Sequence, residues 1–300
     1  MTPVNNAELL ITFWGTRGSI STPGRATEKY GGNTPCVSVR HKDTNIILDA
    51  GTGIRNFGLE LLEEFGNLES NQLSLHLFLS HTHWDHIQGL PFFQPAYVKN
   101  TRLTIYGSPR KERFLALILK DQMDYEYFPV GMAMFSAEIS IHEISEEVIQ
   151  LGEITVEWQE QIFHPGGSVR YSLGANGKKI VYATDVELNR IFHSDTKNEE
   201  NKSLGQDYCD FISNADLLIA DGQYTEEEYT SKVGWGHSSI HLLIDIAYQA
   251  HVKQLAIFHH DPQHSDNFLD ELWMKNKAKL RSVYKNMEIF WAREGLTLAI

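Results

Sequence analysis

Apolar residues in this chain fall into short runs of five to eight, spaced by segments in which they recur every three or four positions. The runs ITFWGT (11–16), CVSVRH (36–41), TNIILDA (44–50), LSLHLFLS (73–80) and RLTIYGS (102–108) predict strands, as do ITVEWQEQIFH (154–164), ADLLIADG (215–222) and KQLAIFHH (253–260). HKDTN makes a turn between the second and third runs. Helical spacing marks IRNFGLELLEEF (54–65), a segment near 110–122, and SSIHLLIDIAYQAH (238–251). In the last of these Ile240, Leu243, Ile244 and Ala247 share one face, with Ser238 or Ser239 as the N-cap.

VRYSLGANGKKIVYATD (169–185) reads as two strands joined at Asn176-Gly177, because a type I′ turn needs positive φ at both positions. The most polar stretch, SDTKNEENKSLGQ (194–206), predicts a solvated surface loop. No repeat or Pro/Gly linker divides the chain. Hairpins in the first half and strand–helix alternation throughout predict an α/β domain spanning 1–300, with two sheets face to face and helices outside.

Composition narrows the setting. The 26 basic and 39 acidic residues leave a net charge of −13, which offers no broad footprint for nucleic acid or an anionic membrane. Two cysteines, Cys36 and Cys209, make no disulfide framework and suit a reducing cytoplasm. The start, MTPVNNAELL, lacks the pattern of a secretory leader. No run approaches the ~18 apolar residues of a membrane span.

The chemistry concentrates in HTHWDHIQG (81–89), directly after the run 73–80. Imidazole and carboxylate groups are ligands for zinc and related ions, and a loop at a strand end can fold several onto one point. The run is read as breaking from the strand into a loop, with Asp85 and His86 one turn onward where a short helix begins. This run resembles the signature of the metallo-β-lactamase superfamily. His164 in FHPGG, Asp185 in VYATD and His259 in LAIFHH follow in that family's order, each at a strand end. The resemblance covers about residues 11 to 262.

It implies an αββα sandwich of the metallo-β-lactamase type with two divalent ions. His81, His83 and His164 would hold one ion, Asp85, His86 and His259 the other, with Asp185 bridging; Asp85 would act in catalysis as well as ligation. Zinc suits the histidine-rich set, and the carboxylates leave manganese open. Asp49, in ILDAGTG, would orient a ligating imidazole or cap its own loop. His260 would face the substrate or the surface.

Three features bear on the branch. Aspartate at the bridging position suits phosphate-bound metal pairs. GWGHSS (234–239) resembles a motif of the phosphodiesterase branch, which includes tRNase Z. There His237 would protonate the leaving ribose oxygen, and Ser238, Ser239 and the helix N-terminus would cradle phosphate. The run FWGTRGSISTPG…YGGNTPCVSV (13–39) is similar to cyclic nucleotide phosphodiesterases of this fold. Arg17 within it has two readings, contact with the substrate's anionic group or a tie for its own loop.

The segment 108–150 reads as a pocket-covering flap or dimer contact. Its Tyr125, Tyr127 and Phe128 would stack on a nucleobase or pack in the core or at a subunit contact. The resulting expectation is a cytoplasmic homodimer that opens 3′,5′-cyclic nucleotides, with a small-molecule nucleotide as partner. The alternative is a tRNase Z-like RNA nuclease, and behind it a nucleotide-binding protein without turnover.

Overall fold

The computed structural model describes residues 8–65, 72–108, 113–145, 148–192 and 199–300. Among these, the strands are β1 (Leu10–Gly15), β2 (Cys36–His41), β3 (Thr44–Leu48), β4 (Leu73–Leu79), β5 (Thr101–Gly107), β6 (Glu138–Glu143), β7 (Val148–Leu151), β8 (Ile154–Gln161), β9 (Ser168–Ala175), β10 (Lys178–Ala183), β11 (Leu217–Asp221), β12 (Gln254–Phe258), β13 (Glu288–Trp291) and β14 (Thr297–Ala299). The helices are α1 (Ile54–Phe65), α2 (Trp84–Ile87), α3 (Leu115–Asp121), α4 (Leu188–Phe192), α5 (Glu199–Ile212), α6 (Glu226–Tyr229), α7 (Ile240–Gln249) and α8 (Asp266–Val283). The chain divides into two compact units, each holding one seven-stranded mixed sheet. Two such sheets with helices around them agree with the α/β sandwich expected from the sequence. Among the described residues no helix is long and apolar enough to cross a membrane.

The first unit comprises Met1–Ser21, Gly31–Glu147 and Arg293–Ala299. Its sheet runs in the order β14-β1-β2-β3-β4-β5-β6, and the pairs from β3 to β6 are parallel. Parallel neighbours need a crossover, which α1 supplies between β3 and β4. That helix buries Ile54, Phe57, Gly58 and Leu61, an i, i+3, i+4, i+7 stripe that fits the helical spacing of 54–65. The stripe joins a core with Leu73, Leu75, Leu77 and Leu79, the alternate residues of β4. Burying each such leucine contributes about 1.5–3 kcal/mol.

The second unit comprises Thr22–Tyr30, Val148–Ala292 and Ile300. Its sheet runs β13-β12-β11-β10-β9-β8-β7. The β9–β10 hairpin turns at Asn176 and Gly177, with φ of 53° and 73° as the Asn-Gly pair predicts. From β10 to β13 the strands are parallel, and β11 is buried along its whole length, hence its unbroken apolar run. Helix α7 buries Ile240, Leu243, Ile244 and Ala247 as predicted.

The polar stretch 194–206 departs from expectation. Residues 194–198 lie outside the described residues, and 199–206 form the first half of α5 rather than a loop. Asn201, Gly205, Tyr208 and Ile212 make its buried stripe, so the apolar anchors lie beyond the stretch whose composition suggested solvent. In 108–150 the expected helix appears as α3, while 138–143 is a sheet strand, β6; residues 109–112 and 146–147 lie outside the described residues.

Candidate metal centre

In parallel sheets functional groups collect at the carboxyl ends of strands. Among the positive-φ residues that follow strands, three carry metal-seeking side chains: Asp49 after β3 (62°), Asp185 two residues beyond β10 (57°) and His259 after β12 (60°). That backbone region costs about 1–3 kcal/mol for a residue with a Cβ, and it turns each side chain sharply off its strand. All three are essentially inaccessible to solvent.

In the first unit, β4 stops at Leu79 and the chain breaks through Ser80–His83 into α2. His81 Nε2 and His83 Nδ1 lie 2.8 Å apart. His86, in α2, donates from Nδ1 to Asp49 Oδ2 at 2.8 Å, with both side chains fully buried. Asp49 also accepts from the Ser80 amide (2.7 Å) and hydroxyl (2.8 Å), so it is held from three sides. With Nδ1 donating, His86 Nε2 carries the lone pair, 3.2 Å from Asp85 Oδ2. The Ser19 amide donates to that same Asp85 oxygen at 2.8 Å. The loops close tightly: Ala50 N donates to His86 O, Gly89 N to Ala50 O, and a Cβ on Gly89 would sit 2.0 Å from Gly51 O. Asp49, His81, His83, Asp85 and His86 are thus brought together.

In the second unit, His164 donates from Nδ1 to Gly236 O (3.0 Å) and His259 from Nδ1 to Gln223 Oε1 (3.0 Å). Both therefore present Nε2 lone pairs, and these lie 3.8 and 3.5 Å from one atom, Asp185 Oδ1. Thr184 Oγ1 donates to the other oxygen, Asp185 Oδ2, at 2.6 Å. Gln161 and Ser168 donate to the carbonyls of Thr184 and Asp185, a buried network that keeps this strand end in its strained turn. Imidazoles fixed through Nδ1 by an oxygen acceptor, with Nε2 turned toward a shared carboxylate, are the donor set that a divalent cation takes. The residues of this unit fit a metal.

His237 stands beside them. Its Nδ1 donates to Asp221 Oδ2 at 2.6 Å, and its ring stacks on His259 at 4.9 Å between centroids. Asp221 ends β11 and is fully buried. The sequence reading passed over Asp221, Gln223 and Glu187. The signal for Asp221 was available, since LLIADG repeats the pattern of IILDAG that singled out Asp49.

Four residues read as substrate contacts make other bonds here; Arg17 follows its second reading, and His260 follows neither of its two. Arg17 is fully buried and its Nε and Nη2 donate to Gly31 O at 3.2 and 2.9 Å, so it ties its own loop. Ser238 Oγ donates to Val186 O and accepts from Leu188 N. Ser239 occupies the N-cap position of α7 without a capping bond from its hydroxyl, which accepts from Asn189 Nδ2. Both serines are fully buried, and each hydroxyl bonds residues between 186 and 189. His260 follows the turn at His259, which sends it the opposite way, into a packing site beside Tyr30 and Trp291, where Nε2 donates to Ala292 O at 2.8 Å.

The pattern of the family described as a β-lactamase superfamily domain matches residues 44–260. Ribonuclease Z of Sulfurisphaera tokodaii is 25% identical over 288 residues, covering 86% of this chain and 91% of that one. Among solved structures, the metallo-β-lactamase fold protein YhfI from Bacillus subtilis superposes with a TM-score of 0.66 at 18% identity, covering 98% of this chain and 100% of that one. Unliganded yeast PDE1 gives a TM-score of 0.66 at 16% identity, again over 98% and 100%.

Proposed function

This chain belongs to the β-lactamase superfamily, and from that premise we propose that it is a phosphodiesterase of that family of metal-dependent hydrolases. The observation that carries the reading is the Asp221–His237 pair, set 3.8 Å from the same Asp185 oxygen that His164 and His259 approach. His81, His83 and His164 would hold one divalent cation and Asp85, His86 and His259 a second, with Asp185 shared. When bound, such a pair supplies Lewis acidity and a water of lowered pKa. Zinc is the first choice and manganese the second.

The chain's own groups handle the proton. Asp221 fixes the His237 ring through Nδ1 and leaves Nε2 as the imidazolium's other proton-bearing atom. A buried carboxylate 2.6 Å from Nδ1 stabilises the imidazolium, which donates from Nε2 to the departing ribose oxygen and returns to the neutral form. Asp49 in the same way holds His86 toward the ligand position.

For the substrate, RNA comes first. The curated relatives bear the name ribonuclease Z, at 22–25% identity over 84–97% of this chain. This reverses the order suggested by the run 13–39, and Arg17, the cation named there for phosphate, is turned inward. The cyclic nucleotide reading stays second, favoured by the net charge of −13, which repels a polyanion. A homodimer in the cytoplasm is part of the proposal. Metal-replete protein incubated with a 3′-extended tRNA transcript and with a panel of 3′,5′-cyclic nucleotides should cleave the RNA. His237→Ala should lower kcat by roughly 10²–10⁴-fold with metal retained. Turnover of cyclic nucleotides alone would reverse the order again, and an unimpaired His237→Ala enzyme would remove the proton donor from the scheme.

A further inference from the structure

Glu187 lies two residues beyond Asp185 and is fully buried. Its carboxylate accepts three bonds, from Tyr229 OH (2.7 Å) and Gly234 N (2.8 Å) on Oε1, and from Gly236 N (3.1 Å) on Oε2. Its own amide donates to Phe163 O at 2.9 Å, one residue before His164. The three donors come from one segment, 229–236, the end of α6 and the loop after it, which leads directly into His237. That loop turns through Gly234 and Gly236 at φ of 88° and 87°. Gly236 packs so closely on His164 that a Cβ there would lie 2.4 Å from Nδ1, and its carbonyl is the acceptor that sets the His164 tautomer.

We infer that Glu187 is a positioning residue for the metal centre: it clamps the 229–236 loop so that the Gly236 carbonyl fixes His164 and the chain delivers His237 beside Asp185. The inference rests on the proposed roles of His164 and His237 and assigns the element that sets both. Only a carboxylate meets the requirement. Two N–H groups and one O–H converge on two oxygens, and a glutamine would turn its own N–H against one of them. A buried acceptor stripped of its donors, or donors stripped of their acceptor, strains the whole loop. Groups that orient metal-ligating histidines through such bonds are worth about 10–100-fold in metal affinity.

The test uses the full chain stripped of metal and titrated with zinc against a chromophoric chelator, with thermal unfolding measured in parallel. Glu187→Ala and Gly236→Ala, which break the arrangement from opposite sides, should each lower zinc affinity by roughly 10–100-fold. Glu187→Gln keeps part of the clamp and should fall between them and the wild type. Asp216→Asn is the control: a buried carboxylate that accepts from Lys179 N and Lys253 Nζ, it should cost stability and leave zinc affinity unchanged. If Glu187→Ala does not fold, the Glu187→Gln and Gly236→Ala titrations decide. Zinc affinity equal to wild type in the folded Glu187 variants, or an equal loss in Asp216→Asn, would overturn the assignment. A wild type that binds zinc and cleaves no phosphodiester would remove the proposed activity and leave this comparison standing.

Discussion

The two units reach the same device by different routes. In the first, a buried aspartate at a strand end (Asp49) accepts from His86 Nδ1 at 2.8 Å; in the second, Asp221 at the end of β11 accepts from His237 Nδ1 at 2.6 Å. The first unit's imidazoles come from one loop of six residues, 81–86. The second unit's come from three separate points, 164, 237 and 259, gathered onto Asp185. A contiguous motif needs one broken strand and one turn of helix. A dispersed one needs four strand ends in register, and a loop held by Glu187. The dispersed half therefore depends more on buried polar bonds that look, in sequence, like ordinary strand and loop residues.

The comparison can be broken by exchanging the two aspartates' roles. Asp221→Asn should leave bound metal in place and lower kcat by about 10²–10⁴-fold, because the proton donor loses its orientation and its countercharge. Asp49→Asn should show instead in the metal content, with affinity down by about 10–100-fold. If the two readouts changed places, the distinction between donor and ligand would be lost. Thr184→Val sharpens the picture at the strained strand end. Removing the hydroxyl that donates to Asp185 Oδ2 should cost about 1–3 kcal/mol in unfolding free energy, read from denaturant titration.

The smallest effect is a pH dependence away from the centre. Donating a hydrogen bond to Glu226 raises His241 above its ordinary 6.5, against the desolvation that lowers it. Burial pushes Glu226 up, yet the bond and charge of His241 bring it net below its ordinary 4.5. The pair's contribution is then full between these two ordinary values. It is lost as pH rises through the raised pKa of His241, and as pH falls through the lowered pKa of Glu226. Since both side chains are partly exposed, wild type should exceed His241→Gln by only ~0.5 kcal/mol near pH 5.5 and by nothing near pH 9.

Much of the fold was legible because its signals are local. The Asn176-Gly177 turn, the α1 stripe and the α7 stripe each follow from residues a few positions apart. Strands β6, β7, β13 and β14 escaped notice because they are short or half-exposed, so their alternation is weak. Helix α5 hid in polar composition, since its buried stripe needs only one residue in three or four. The candidate ligands stood out by type and by their place at strand ends, and so did Asp49. Asp221 carried the same signal and was missed for want of a motif around it.

The sequence by itself determined which side chains can bind a cation and that strands must end where they stand, because both depend on residue chemistry and on patterns within a dozen positions. Only the tertiary structure decided which neighbours share that work. Ser238, Ser239, Arg17 and His260 have the right chemistry but spend it on buried carbonyls and side chains. Glu187 and Asp221, unremarked in a linear reading, meet donors 16 to 49 residues away. A hydrogen bond's direction is set by strand register and loop closure, and neither is written in any one segment of the chain.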